Sequence, residues 1–203
     1  MGRWSAVERS LRAQGARLIA GVDEVGRGPL AGPVFACAII MPPGMRAIAG
    51  VEDSKRLSAA ERERLAVKIH EKALWVALGA ASVREIAALN IYQATALAMR
   101  RAIGRLGERP DAVLVDGKPI KTLGVPHRAF VGGDSRIYTI ACASIVAKVA
   151  RDRLMRSLAA RHPGYGWEAN AGYGTPVHMA ALRERGMTAH HRALFCAGIL
   201  AGL

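Results

Sequence analysis

The stretch "AGVDEVGRGPLAGPV", running from Ala20 to Val34, carries the reading of the fold. An apolar run ends in two adjacent acids, Asp23 and Glu24, and passes at once into a loop where Gly26 and Gly28 flank Arg27. The apolar residues on either side, 17–25 and "VFACAIIM" at 34–41, read as two short buried strands split by that Gly/Pro-rich loop. Carboxylates at the edge of an apolar core are costly to desolvate, so their placement there asks for a chemical reason.

Working outward, helices and strands alternate. Ser58 with Glu61 makes a capping box that opens a helix in "SAAERERLAVKIHEK". Residues 73–82, "ALWVALGAAS", read as a strand, followed by a short helix at 84–88. Asn90 with Gln93 repeats the capping pattern for a longer helix, "IYQATALAMRRAIGRL", and Pro110 breaks the chain after it. "AVLVD" at 112–116 is a compact apolar strand ending in an acid, and "HRAFVGG" at 127–133 is a weaker one. "SRIYTIACASIVAKVARDRLMRSLAARH" reads as a long helix stopped by Pro163-Gly164. Thr175 as N-cap and Pro176 at the first helical position open a further helix that Gly186 closes, and residues 188–203 read as helical. The pattern predicts an α/β fold: a mixed sheet flanked by helices over residues 1–160, with a small C-terminal helical extension over 161–203.

The 203 residues suffice for one domain with its own core. A formal charge of +13 favours a polyanionic partner, nucleic acid foremost. The three cysteines, Cys37, Cys142 and Cys196, are odd in number and form no CxxC pattern, which suits free thiols in a reducing compartment. No segment has the length and apolarity of a membrane span, and "MGRWSAVERS" has no signal-peptide core. A cytoplasmic monomer is the expectation.

In open α/β sheets reactive groups gather at strand ends. Asp23 and Glu24 end the first strand, Asp116 ends "AVLVD", and Asp134 follows the next strand in "VGGDSR", so the four acids can meet on one rim. Neighbouring strand residues point to opposite faces, so Asp23 and Glu24 share a pocket only if the chain bends or twists between them. Carboxylates roughly 4 Å apart repel by about 4 kcal/mol per pair at an effective dielectric near 20. Protons or cations must therefore hold them together. All-oxygen ligands favour Mg²⁺ or Mn²⁺, and two such ions about 3.5–4 Å apart suit phosphodiester cleavage. Each acid also has a plainer reading. Asp134 fits a helix N-cap, Asp116 a turn before Gly117, and the rival acid Asp152 an ion pair with Lys148 four residues earlier.

The ordered set "GVDEVGRGPLAGPV", "DSKRLS", "VLVDG", "GGDSR", "IACASIVAKVARDR" and "GYGT" before His178 closely resembles bacterial ribonuclease HII, a type 2 ribonuclease H, over residues 17–192. The resemblance implies a ribonuclease H-like fold. It implies hydrolysis of RNA in RNA–DNA hybrids, and incision 5′ of single ribonucleotides embedded in duplex DNA, leaving 3′-hydroxyl and 5′-phosphate ends. It maps the metal-binding acids onto Asp23, Glu24, Asp116 and Asp134. It assigns recognition of the ribonucleotide 2′-hydroxyl to Gly26, Arg27 and Gly28, and stacking on a neighbouring sugar to Tyr173. The 2′-hydroxyl is what distinguishes RNA locally, and backbone groups reach it only where side chains are absent. Ser54 and Lys55, before a helix N-terminus, and Ser144 and Lys148, one turn apart on one helix, are expected to touch the nucleic-acid backbone. His178, His190 and His191 lack metal-ligand spacing and are read as structural. Two departures stand out. Gly132 occupies a place where relatives often carry lysine, and "HHRALFCAGILAGL" lacks the Arg-Ser-Phe pattern and basic tail, so no DNA contact is assigned to it. Two rival activities remain open on the residues themselves: an exonuclease or junction resolvase with similar carboxylates, and a non-catalytic RNA-binding module.

Overall fold

A computed structural model describes residues 4–201. Five strands, β1 (Ile19–Val25), β2 (Val34–Ile40), β3 (Trp75–Ala81), β4 (Ala112–Asp116) and β5 (Arg128–Phe130), form one sheet in the order β3-β2-β1-β4-β5. The first three make an antiparallel meander, while β4 runs parallel to β1 and β5 parallel to β4. The helices are α1 (Ala6–Ala13), α2 (Ala59–Lys72), α3 (Val83–Leu89), α4 (Ile91–Gly104), α5 (Tyr138–Arg161), α6 (Trp167–Asn170), α7 (Pro176–Arg185) and α8 (Ala193–Leu200).

The period-two alternation of the strands divides the core. Ala36, Ala38 and Ile40 of β2 face α4, where Ala94, Ala98, Met99 and Ala102 meet them. Cys37 and Ile39 face the other way, toward α5 and the Leu65 and Ile69 side chains of α2. Small residues let the layers approach closely. A Cβ on Gly21 of β1 would lie 2.2 Å from the Thr139 carbonyl carbon, so the N-terminal turn of α5 rests directly on the strand's backbone. All three cysteines are free and buried. Among the described residues no helix is long and apolar enough to cross a membrane.

Local signals place most helix starts. Ser58–Glu61 and Ser82–Glu85 each form a reciprocal capping box. Asn90 caps α4 through its own side chain, Oδ1 accepting from the Gln93 N–H at 3.1 Å, and takes φ +68° because it also ends α3. Thr175 caps α7 and Gly186 ends it. Two expectations shift. The strand read over 127–133 contracts to Arg128–Phe130, because Gly132 at φ +66° turns the chain into a 3-10 turn, Gly133–Ser135. The long helix accordingly starts at Tyr138, and Asp134 is not its N-cap. The carboxylate that serves α5 comes instead from α1: buried Glu8 accepts from the Tyr138 and Thr139 N–H groups at 3.3 and 2.9 Å.

Beyond α5, Tyr165, Trp167, Leu182 and Cys196 pack on Met155, Leu158 and Ala159 of that helix. Leu30 and Ala31, from the loop after β1, belong to the same cluster. The last helices therefore lean on the glycine-rich loop after β1.

Candidate active site

The parallel register Val22↔Val115 sets β1 and β4 side by side, so Asp23 and Asp116, the next residues of each, end on the same edge of the sheet. A cleft of about 240 Å³ opens there. Asp23, Glu24 and Asp116 line it, together with Gly26, Arg27, Gly28, Ser54, Lys55, Ser144, Lys148 and Tyr173. Asp134 is not in that lining, but it is tied to it: Lys55 Nζ stands 3.2 Å from its Oδ2. The turn that carries Asp134 is joined to Asp116, whose Oδ1 accepts from the Gly133 N–H at 2.6 Å.

The strand is not interrupted between Asp23 and Glu24, since the ladder with β2 continues through Val25↔Phe35. Both acids line the cleft nonetheless, at the end of the strand. Asp23 is the buried member of the pair, and its Oδ1 accepts from the Glu24 N–H at 2.7 Å.

Burial, then the charges of Glu24 and Asp116, push the Asp23 carboxyl well above the usual carboxylate range, while the nearby Ser144 hydroxyl works against that shift. Glu24 is raised by burial and by Asp116 against the opposing charge of Arg27, whose Nη1 lies 3.5 Å away. Asp116 is raised by burial and by Asp134. Against the lowering effect of partial burial, the contact with Asp134 lifts the Lys55 ammonium above its ordinary value. The site is thus a set of carboxylates that resists full ionisation without compensating positive charge.

Its donor chemistry, carboxylate oxygen throughout, fits a hard divalent cation. Among the described residues, no three carboxylate, imidazole or thiol groups already converge closely enough to grip one ion. Lys55 meanwhile supplies local positive charge at Asp134.

The other expected contacts fall into two groups. Ser54 and Ser144 meet directly, Oγ to Oγ at 2.9 Å, joining the loop before α2 to α5. Lys148 Nζ donates to Asp152 Oδ1 at 2.8 Å, and Asp152 also faces Arg62 at 4.0 Å, so the rival acid is occupied by ion pairs. Tyr173 is 44% exposed, its ring free to meet a ligand, while its carbonyl accepts from His178 Nδ1 at 2.9 Å. His178 Nε2 in turn accepts from Trp167 Nε1 at 3.1 Å and lies 3.0 Å from His191 Nε2. These histidines brace the Tyr173 loop from behind.

Two buried arginines escape a reading of the sequence. Arg151 donates to the carbonyls of Pro33, Ala31 and Ala171 at 2.8–3.1 Å, tying the loop after β1 to the loop that carries Tyr173. Arg192 donates to carbonyls at both ends of the first loop, those of Gly26, Arg27 and Gly32. No local pattern announces either residue, since their partners are backbone carbonyls far away in the chain.

The sheet order and the carboxylates at its parallel strand ends define a ribonuclease H-like hydrolase fold. Its similarity to solved structures includes the ribonuclease H2 from Pyrococcus horikoshii OT3, at a TM-score of 0.78 and 25% identity over 91% of this chain and 98% of that one. The family model for ribonuclease HII matches residues 20–197. Ribonuclease HII of Paracoccus denitrificans is 54% identical over 193 residues, 95% of this chain and 90% of that protein. The ribonuclease HII of a Jannaschia species is 53% identical over 205 residues, covering both chains in full. The chain belongs to the ribonuclease HII family. It is a ribonuclease H, a hydrolase acting on the RNA of RNA–DNA hybrids.

Proposed function

We propose that the chain also incises duplex DNA on the 5′ side of a single embedded ribonucleotide, leaving 3′-hydroxyl and 5′-phosphate ends, and that it does so with Mg²⁺ or Mn²⁺. The observation that carries this is the shared cleft: Asp23, Glu24 and Asp116, the bare Gly26–Gly28 loop and the basic and hydroxyl groups surround one volume, and Lys55 ties Asp134 to it. Asp23, Glu24, Asp116 and Asp134 are the residues that would hold the cations. A bound pair would activate water and stabilise the departing 3′ oxygen.

The chain's own groups account for the rest. Lys55 and Lys148 meet the phosphates on either side of the cut, and the linked Ser54 and Ser144 hydroxyls fix the spacing between the loop before α2 and α5. Gly26, Arg27 and Gly28 present backbone to the 2′-hydroxyl, and Tyr173 stacks on the sugar beyond the junction. Residues 1–160 act as the catalytic domain, with 161–203 packed on it. The chain works as a monomer in the cytoplasm, whose reducing conditions suit its three free, buried thiols.

The test compares two duplexes of one sequence, one carrying a single ribonucleotide and one all DNA, each with and without divalent cation. Cutting 5′ of the ribonucleotide only, abolished by EDTA, is the expected result. Equal cutting of both duplexes would point to a general nuclease, and binding without cutting to a module that holds nucleic acid.

A further inference from the structure

Arg192 lies just before α8, in the segment whose sequence departs from the family pattern, and its side chain is buried at 2% exposure. Each of its three nitrogens donates to a carbonyl of the loop after β1: Nε to Gly32 at 2.9 Å, Nη1 to Arg27 at 2.8 Å and Nη2 to Gly26 at 2.6 Å. The backbone around it is fastened to the same loop. The Arg192 N–H donates to Leu30 O at 2.8 Å, and the Gly32 N–H donates to His190 O at 2.9 Å. The Phe195 ring stacks against the guanidinium, 5.3 Å from its central carbon.

This contact sets the polarity of the loop. Every described peptide bond is trans, so the C=O and N–H of one peptide unit point in opposite directions. With the Gly26 and Arg27 carbonyls turned inward onto Arg192, the Arg27 and Gly28 N–H groups turn outward. Arg27 and Gly28 line the cleft, and neither N–H has a backbone partner among the described residues. A planar guanidinium with forked donors suits this task, whereas an ammonium is a point charge that cannot fix two successive peptide planes.

We propose that Arg192 is the positioning residue for ribonucleotide recognition: by sequestering the Gly26 and Arg27 carbonyls it makes the loop present the Arg27 and Gly28 N–H donors to the oxygen-rich sugar and phosphate of the substrate. This rests on the reading that the Gly26–Gly28 loop meets the 2′-hydroxyl. Burial and the neighbouring charge of Arg151 bring the Arg192 guanidinium down to about 10, so it keeps its proton at neutral pH.

The experiment uses Arg192→Met and Arg192→Lys beside the parent chain. It measures kcat and KM on the duplex with one ribonucleotide, competition by the all-DNA duplex, and thermal melting. Arg192→Met is expected to lose on the order of 10- to 100-fold in kcat, the scale of a slightly misplaced contact. Its KM and its affinity for all-DNA duplex stay within about twofold, since phosphate contacts supply most of the binding. Arg192→Lys keeps the buried charge and is expected to fold and to recover part of the loss. Cleavage by a folded Arg192→Met within about twofold of the parent, against the scale expected of a misplaced contact, would overturn the inference. So would an Arg192→Lys variant that is unfolded at the assay temperature, because the residue would then serve the whole fold and not the loop. If the parent itself cuts both duplexes alike, the reading of the loop fails. If the parent is selective and Arg192→Met is equally fast and selective, only the role of Arg192 fails.

Discussion

Gly26 and Gly28 look equivalent in the sequence, yet different neighbours constrain them. Gly26 sits at φ +91°, and a Cβ there would fall 2.2 Å from Arg151 Nε, whereas the nearest atom to a Cβ on Gly28 is Tyr173 Cε1 at 3.7 Å. Gly26→Ala is therefore expected to destabilise the chain by about 2–3 kcal/mol, from backbone strain plus overpacking, read as a lower melting temperature. Gly28→Ala is expected to melt within about 0.5 kcal/mol of the parent and to show its effect in ribonucleotide cleavage. Asp116→Asn separates chemistry from folding. It removes a carboxylate that burial and Asp134 already make reluctant to ionise, so the variant should melt no lower than the parent in EDTA. Its turnover with Mg²⁺ should drop by at least about 100-fold, because even groups behind a metal ligand matter on that scale. Near-normal turnover would take Asp116 out of the reaction.

Among the elements, α5 owes its start to a residue far from it in sequence. Glu8 bridges the Tyr138 and Thr139 N–H groups while its Oε2 also accepts from the Ser5 N–H at 2.8 Å, so one carboxylate serves the N-termini of α1 and α5 together. Glu8→Ala should cost about 2–3 kcal/mol, the scale of stranding buried donors and losing a favourable charge at a helix N-terminus, with a matching loss in chemical denaturation. The same case shows what a sequence can and cannot convey. Ser58–Glu61, Thr175–Pro176 and the acids that close β1 and β4 are legible because cause and effect lie within a few residues. Glu8, Arg151 and Arg192 are not, because each acts on backbone groups more than a hundred residues away or on loops whose path only the folded chain defines. Asp134 lies between: its order in the chain suggests a place near the other acids, where Lys55 links it to the cleft, but the left-handed Gly132 makes a turn that the sequence pattern does not announce.

For the whole molecule, the formal charge of +13 predicts steep salt sensitivity. If 6–10 phosphates are contacted, binding should weaken by about 10³–10⁵ between roughly 50 and 200 mM salt, measurable by fluorescence anisotropy on an uncleavable duplex. Acid should loosen the C-terminal cluster as well. Burial, followed by the charge of His178, brings the His191 imidazole down to about 4, and burial lowers His178 too. Between that value and the ordinary histidine range the unfolded chain binds a proton that the folded chain refuses, so stability is lost as pH falls through this window. The loss attributable to His191 is on the order of 3 kcal/mol, isolated as the difference between the parent and His191→Asn in denaturation at several pH values. Gly21 has the longest reach. Because the first turn of α5 sits on bare strand at that point, the helix is keyed to the sheet like a tooth in a notch, two residues before Asp23 and five before Ser144. A methyl group at position 21 would act as a wedge there, lifting the rod from the strand and sliding the two walls of the cleft out of step, even though residue 21 itself does not line it.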